Sequence, residues 1–232
     1  MPHKVNEKHP DWPSVTEVVG LLDKPWLRYW YGKLGTEEAE KQAAVASERG
    51  RKFHEEIAGL VGERTKLGEW VVVGSDEVNP LVWRLRDMMF DPHHAEEPVE
   101  SNLHRYYGCP DVWGDSINSA TCVVDFKFTN TGSPRTALQL AGYMQAINET
   151  FPQEPKVISG VVLRVYELKT PAKESKITET AAGRKHSYKG SKFYLEEVNY
   201  YNLSEYLKVF LKLRDVWDFE NERGKFERTK LD

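Results

Sequence analysis

Two cysteines, Cys109 and Cys122, are all that 232 residues contain. They are too few and too far apart for a four-cysteine iron–sulfur or zinc site within one chain, and they read as reduced core thiols. Long apolar runs are missing as well. No stretch approaches the length needed to span a bilayer, and the polar segment from Met1 to Pro13 lacks the apolar core of a signal peptide. A soluble, intracellular, cytoplasmic protein with no membrane partner is therefore expected. An excess of positive charge is also absent: the formal net charge is -4, so any contact with nucleic acid has to rest on a local patch. No internal repeat and no long low-complexity tract are visible. What is present, 40% hydrophobic and 12% aromatic residues, describes a folded globular protein. Its length fits one large domain spanning 1–232, with a mainly helical part over 1–95 and a sheet core with a C-terminal helix over 96–232.

Ser14, with Glu17 three residues on, forms the signature of a capping box, so a helix starts there. Trp26 to Lys33 reads as a second helix, whose Trp26, Tyr29, Trp30 and Tyr31 are expected to pack a core or cap; stacking on DNA is the alternative. Glu37 to Val61 has strong helix propensity despite Gly50 and Gly59 and reads as one long helix. Val71 to Val73 reads as a short strand, the region of Glu77 as a turn, and Leu81 to Phe90 has helical spacing. Pro98 to Tyr107, Val112 to Ser116 and Thr121 to Phe128 read as three strands of a meander, turning at Gly108-Cys109-Pro110 and between Asp115 and Ser119. Pro134 to Asn148 reads as a helix, and Val157 to Tyr166 and Phe193 to Val198 as strands. A last helix is expected from about Leu203, behind Asn202 as a cap, to Phe219. That order gives an α/β layer architecture with a mixed central sheet flanked by helices and an N-terminal helical elaboration.

Alternation along Val123-Val124-Asp125-Phe126-Lys127 projects Asp125 and Lys127 to one face and Val124 and Phe126 to the other. A charged pair among apolar residues is costly unless paired, hydrated or metal-bound, so it is either a salt bridge or a functional centre. Asp111 opens a segment expected to pair antiparallel with the Asp125 strand, which lets two carboxylates converge. Such a pair, with waters and a substrate phosphate, suits Mg²⁺ or Mn²⁺. Lys127 beside it is placed to orient an attacking water and stabilise developing negative charge. Gly50 and His54 share one helix face, as do Gln139 and Tyr143. Between Lys169 and Lys192 the positive residues Lys169, Lys173, Lys176, Arg184, Lys185, Lys189 and Lys192 meet only Glu174 and Glu179. This segment is either a solvated loop or a patch for a polyanion.

In order, Gly50-x-x-x-His54, Gly108-x-x-Asp111, Asp125-x-Lys127 and Gln139-x-x-x-Tyr143 resemble the RecB-like branch of the PD-(D/E)xK nuclease superfamily. Pro13-Ser14-Val15-Thr16 and the stretch from Leu138 to Asn148 are similar to the mitochondrial genome maintenance exonucleases and their phage and bacterial relatives. The resemblance implies a restriction-endonuclease-like core and a metal-dependent DNA exonuclease acting on single strands or flaps with a free end. It also implies a phage source, and roles in replication, recombination or repair. By the same resemblance His54, Asp111 and Asp125 bind the metal, the Phe126 carbonyl adds a ligand, and Lys127 is catalytic together with the two aspartates. Gln139 and Tyr143 would support the site or touch DNA, and Glu100 and Glu55 are weaker acidic candidates. Arg184, Lys185 and Lys189 would belong to a basic flap or clamp over the strand. Asp125 stands where many members carry Glu, and no iron–sulfur cluster is expected. A structure-selective endonuclease, an inactive DNA-binding or recombination scaffold, and an unrelated protein with a structural Asp125–Lys127 salt bridge are the competing readings.

Overall fold

The computed structural model describes residues 8–70, 74–117, 119–128 and 135–228, so the expected strand at Val71 to Val73 lies outside the described residues. Ser14 caps α1 (Val15–Gly20) with both hydrogen bonds of the capping box in place. The chain continues through α2 (Pro25–Leu34) into α3 (Thr36–Leu67), which stops where Gly68 adopts a left-handed conformation and its N–H bonds back to the Arg64 carbonyl. Phe53, Ile57 and Val61 recur every fourth residue along α3 and form its buried stripe. After α4 (Asn79–Asp87) the chain enters β1 (Asp91–Ala95), a strand the sequence reading did not anticipate in the helical part.

Pro98 to Tyr107 is not one strand but two: β2 (Val99–Ser101) and β3 (Tyr106–Gly108), which pair with each other outside the main sheet. The expected three-strand meander is corrected accordingly. β4 (Val112–Ser116) and β5 (Ser119–Phe128) do pair antiparallel, and β1 takes the place beside β4 that the meander assigned to the earlier segment. α5 (Arg135–Thr150) carries the chain over to β6 (Ser159–Glu167), which lies parallel to β5, the crossover that parallel pairing requires. The basic insert then folds into β7 (Lys176–Thr180) and β8 (Gly183–Ser187), followed by β9 (Phe193–Tyr200) and α6 (Ser204–Arg228). Asn202 accepts the Ser204 N–H at the start of α6.

Among the described residues the sheet has seven strands in the order β1-β4-β5-β6-β9-β8-β7. One face carries Val112, Cys122, Val124, Phe126, Val161, Leu163 and Leu195 against Phe53, Ile57 and Val61 of α3 and Leu81 and Leu85 of α4. The other carries Trp113, Val123 and Val162 against α1, α5, the β2–β3 pair and Phe210 of α6. The fold is thus an α/β sandwich with helices on both faces of a mixed sheet. α5 is buried nearly all round because it lies between the sheet and α6. Among the described residues no helix is long and apolar enough to cross a membrane. Cys122 is buried as expected, whereas Cys109 is exposed. Tyr29 of α2 is also exposed rather than packed in either core.

Candidate active site

The β4–β5 register pairs Val112 with Val124 and Trp113 with Val123, so Asp111, one residue before β4, stands opposite Asp125. Directly opposed residues of an antiparallel pair project to the same face. Both carboxylates therefore lie on the face where Val123 also packs, and Lys127 joins them two residues on. The contacts are specific. Asp111 accepts the Phe126 N–H at 2.7 Å through one oxygen, and His54 Nδ1 of α3 sits 3.2 Å from the other. Lys127 Nζ donates to Asp125 Oδ1 at 2.8 Å. Asp125 is 2% exposed, and its Oδ2 is buried with no hydrogen-bond partner among the described residues. An orphaned buried oxygen costs about 1–3 kcal/mol, and a purely structural salt bridge gains nothing by carrying one.

The electrostatics separate the two acids. Burial pushes Asp125 upward, the Asp111 charge adds to this, and the pairing with Lys127 only partly offsets it. Burial acts on Asp111 in the same sense, yet His54, Lys127 and the Phe126 amide outweigh it and hold that carboxyl low. For His54 the burial cost is overcome by Asp111, and for Lys127 by Asp125 and Asp111, so both are raised and favour their charged forms. Two neighbouring acids driven apart in this way are the usual mark of a centre that handles protons or cations.

Tyr143 and Gln139 of α5 stand next to this group. Gln139 donates to the Tyr143 hydroxyl at 3.1 Å, and burial raises the phenol's pKa, with the Asp111 and Asp125 charges adding to the effect. Gly108 explains how the ring gets there: a Cβ at that position would lie 2.6 Å from Tyr143 Cε1 and 3.1 Å from Val15 Cγ2. Gly108→Ala is thus expected to overpack this contact and cost about 1–3 kcal/mol. In a denaturation cycle with Tyr143→Ala, the double variant should recover part of the loss; strict additivity would show that the ring is not what the glycine accommodates.

Other sequence candidates fall elsewhere. Glu100, on β2, pairs with Lys8 at 2.6 Å, and Glu55 pairs with Arg51 on the exposed side of α3. The Phe126 ring is buried in the opposite core, so only its backbone reaches the centre. Nothing in the structure explains a glycine at position 50, where a Cβ meets nothing within 4 Å. Arg184 pairs with Glu179 at 2.8 Å and stands in register with Glu197, on the sheet face away from the centre, whereas Lys185 faces the same way as Asp125. Lys189 lies between β8 and β9, its backbone N–H bonded to Ser175. Sequence reading missed Arg164, whose register partner is Lys127. Its signal was legible: it is the one charged residue in the run from Val161 to Val165.

No protein-family model matches the chain, and no curated protein matches it in sequence. Among solved structures it is similar to an alkaline exonuclease from Laribacter hongkongensis, LHK-Exo, over 95% of each chain, with 10% identity and a TM-score of 0.43. A likeness that distant assigns no residue and no chemistry to this chain.

The donor set suits a hard divalent cation. Two carboxylates share one sheet face, one Asp125 oxygen is buried without a partner among the described residues, and an imidazole lies beside Asp111. Among the described residues no three His, Cys, Asp or Glu side chains form a ready-made cage.

Proposed function

We propose that this protein is a metal-dependent deoxyribonuclease of the PD-(D/E)xK type, with a restriction-endonuclease-like core, acting as an exonuclease on single-stranded DNA or flaps. The observation that carries the reading is the meeting of Asp111 and Asp125 on one sheet face, with Lys127 paired to Asp125 and an Asp125 oxygen buried without a partner among the described residues.

Asp111 and Asp125 would hold Mg²⁺ or Mn²⁺, with the Phe126 carbonyl as a further ligand and His54 as another, through Nε2 once the ion displaces its proton. When bound, the ion supplies a water of lowered pKa and neutralises charge on the phosphodiester. Lys127, kept protonated by two carboxylates, donates to the attacking water or to the phosphoryl oxygens as negative charge builds on them. His54 ties Asp111 to α3 and fixes its orientation. The Gln139–Tyr143 pair would close the α5 side of the centre and limit water there.

End-labelled linear and covalently closed circular single-stranded DNA, each incubated with Mg²⁺, with Mn²⁺ and with a chelator, test the reading. Linear DNA should be shortened progressively from an end in either metal, with circles intact and the chelator control inert. Cut circles would replace the exonuclease by a structure-selective endonuclease. Absence of cleavage in every metal would leave a DNA-binding scaffold and remove the enzyme.

A further inference from the structure

The strand registers line up a row of side chains that leads away from the centre. Lys127 of β5 pairs with Arg164 of β6, Arg164 with Glu196 of β9, and Glu196 with Lys185 of β8. Register partners share a face, so the row lies on the Asp125 side of the sheet. A second row runs beside it: Tyr166 of β6 with Tyr194 of β9, then Ser187 of β8 and Lys176 of β7. The two tyrosine rings stack with centroids 4.8 Å apart and planes 5° off parallel, and Lys185 Nζ sits 5.3 Å from the Tyr194 ring.

A cross-strand aromatic pair on a sheet usually packs against a core. This one does not. Neither tyrosine belongs to either buried cluster, both are partly exposed, and their neighbours are charged. Arg164 is 6% exposed; Glu196 and the Tyr166 hydroxyl engage one end of it, yet its Nε–H is buried without a partner among the described residues. Lys185 makes no ion pair among the described residues. Stacked rings with cations beside them are what a single strand requires, bases on the rings and phosphates on the cations.

We infer that single-stranded DNA lies across the sheet from the Lys127 side of the centre toward the β7–β8 hairpin, a base extending the Tyr166–Tyr194 stack and a phosphate passing Lys185, with Arg164 buried beneath the path. The path rests on the nuclease reading above. It replaces the basic flap expected from sequence, because the hairpin is an integral edge of the sheet three strand spacings from β5, about 14 Å.

Fluorescence anisotropy of a labelled oligothymidylate in chelator, across a salt series, tests the path without cleavage. Tyr194→Ala should weaken binding about tenfold or more, the weight of one stacked base, while Tyr194→Phe binds as the wild type does. Lys185→Gln should flatten the slope of log affinity against log salt by about 0.7. Thermal melts of each variant identify any that fail to fold, and if the Ala variant does not fold, an unchanged salt slope in Lys185→Gln overturns the path. Equal affinity for wild type and Tyr194→Ala, or no binding by the wild type, overturns the path. Hydrolysis of a small phosphodiester, the p-nitrophenyl ester of thymidine 5′-phosphate, by the wild type in Mn²⁺ tests the nuclease reading separately. Cleavage with unchanged oligonucleotide binding sinks the path alone, and lost binding in Tyr194→Ala without any cleavage sinks the nuclease alone.

Discussion

Asp125→Asn is expected to lower metal-dependent cleavage by at least about 10³-fold while leaving the melting temperature unchanged or higher. The rate effect follows from the several kcal/mol of charge stabilisation asked of the ion the carboxylate would hold, each 1.36 kcal/mol being tenfold. The stability effect follows from the environment of the group. Asp125 is buried, has an oxygen with no partner among the described residues, and feels the like charge of Asp111. An amide of the same shape removes the repulsion, and Lys127 keeps Asp111 as a counter-charge. If the Asp125–Lys127 pair were only a salt bridge, the outcome would invert, with a drop in stability and no change in cleavage. Cleavage assays beside thermal melts of wild type and variant separate the two.

The centre was legible because it depends on short-range rules. Alternation put Asp125 and Lys127 on one face, and the short turn before β4 left little freedom over where Asp111 stands. The capping box at Ser14 and the four-residue spacing of Gln139 and Tyr143 are local in the same way. What escaped the sequence reading is long-range. Asp91–Ala95 has little strand propensity, and it becomes β1 because β4 offers it an open edge. The segment from Pro98 to Tyr107 breaks in two where the chain turns at 102–105, with Arg105 at a positive φ. Seven positive charges between Lys169 and Lys192 resembled a loop, but β8 pairs with β9, and strand alternation sends the adjacent Arg184 and Lys185 to opposite faces.

The second large effect is on stability, far from the centre. Arg84 of α4 donates twice to Glu197 of β9, at 2.6 and 3.0 Å, and His186 and Asn199 also bond this carboxylate. Glu197 is 2% exposed and Arg84 8%. Removing one member of a buried pair strands the other, so Arg84→Ala should cost about 3–5 kcal/mol at neutral pH, measured by urea denaturation. The sign with pH is fixed. Burial alone would raise the Glu197 carboxyl, but bonds from His186, Arg84 and Asn199 hold it far below the usual range. Its contribution is therefore complete above the unfolded value of about 4.3 and is lost as pH falls below it. The penalty of Arg84→Ala should shrink over that range, because acid protonates a carboxyl that has lost a cation. A penalty under about 0.5 kcal/mol, or one independent of pH between 3 and 7 within about that margin, would show that the cluster does not hold α4 to the sheet.

Manganese binding without DNA isolates the meeting of Asp111 and Asp125 from every later step. Titration of the wild type with Mn²⁺, followed by the electron paramagnetic resonance of the free ion, should show a saturable site. Asp125→Asn and Asp111→Asn should each weaken that site by about tenfold or more while remaining folded. Equal Mn²⁺ affinity in the wild type and both variants would contradict a shared ion between these strands, and so would a wild type that binds none.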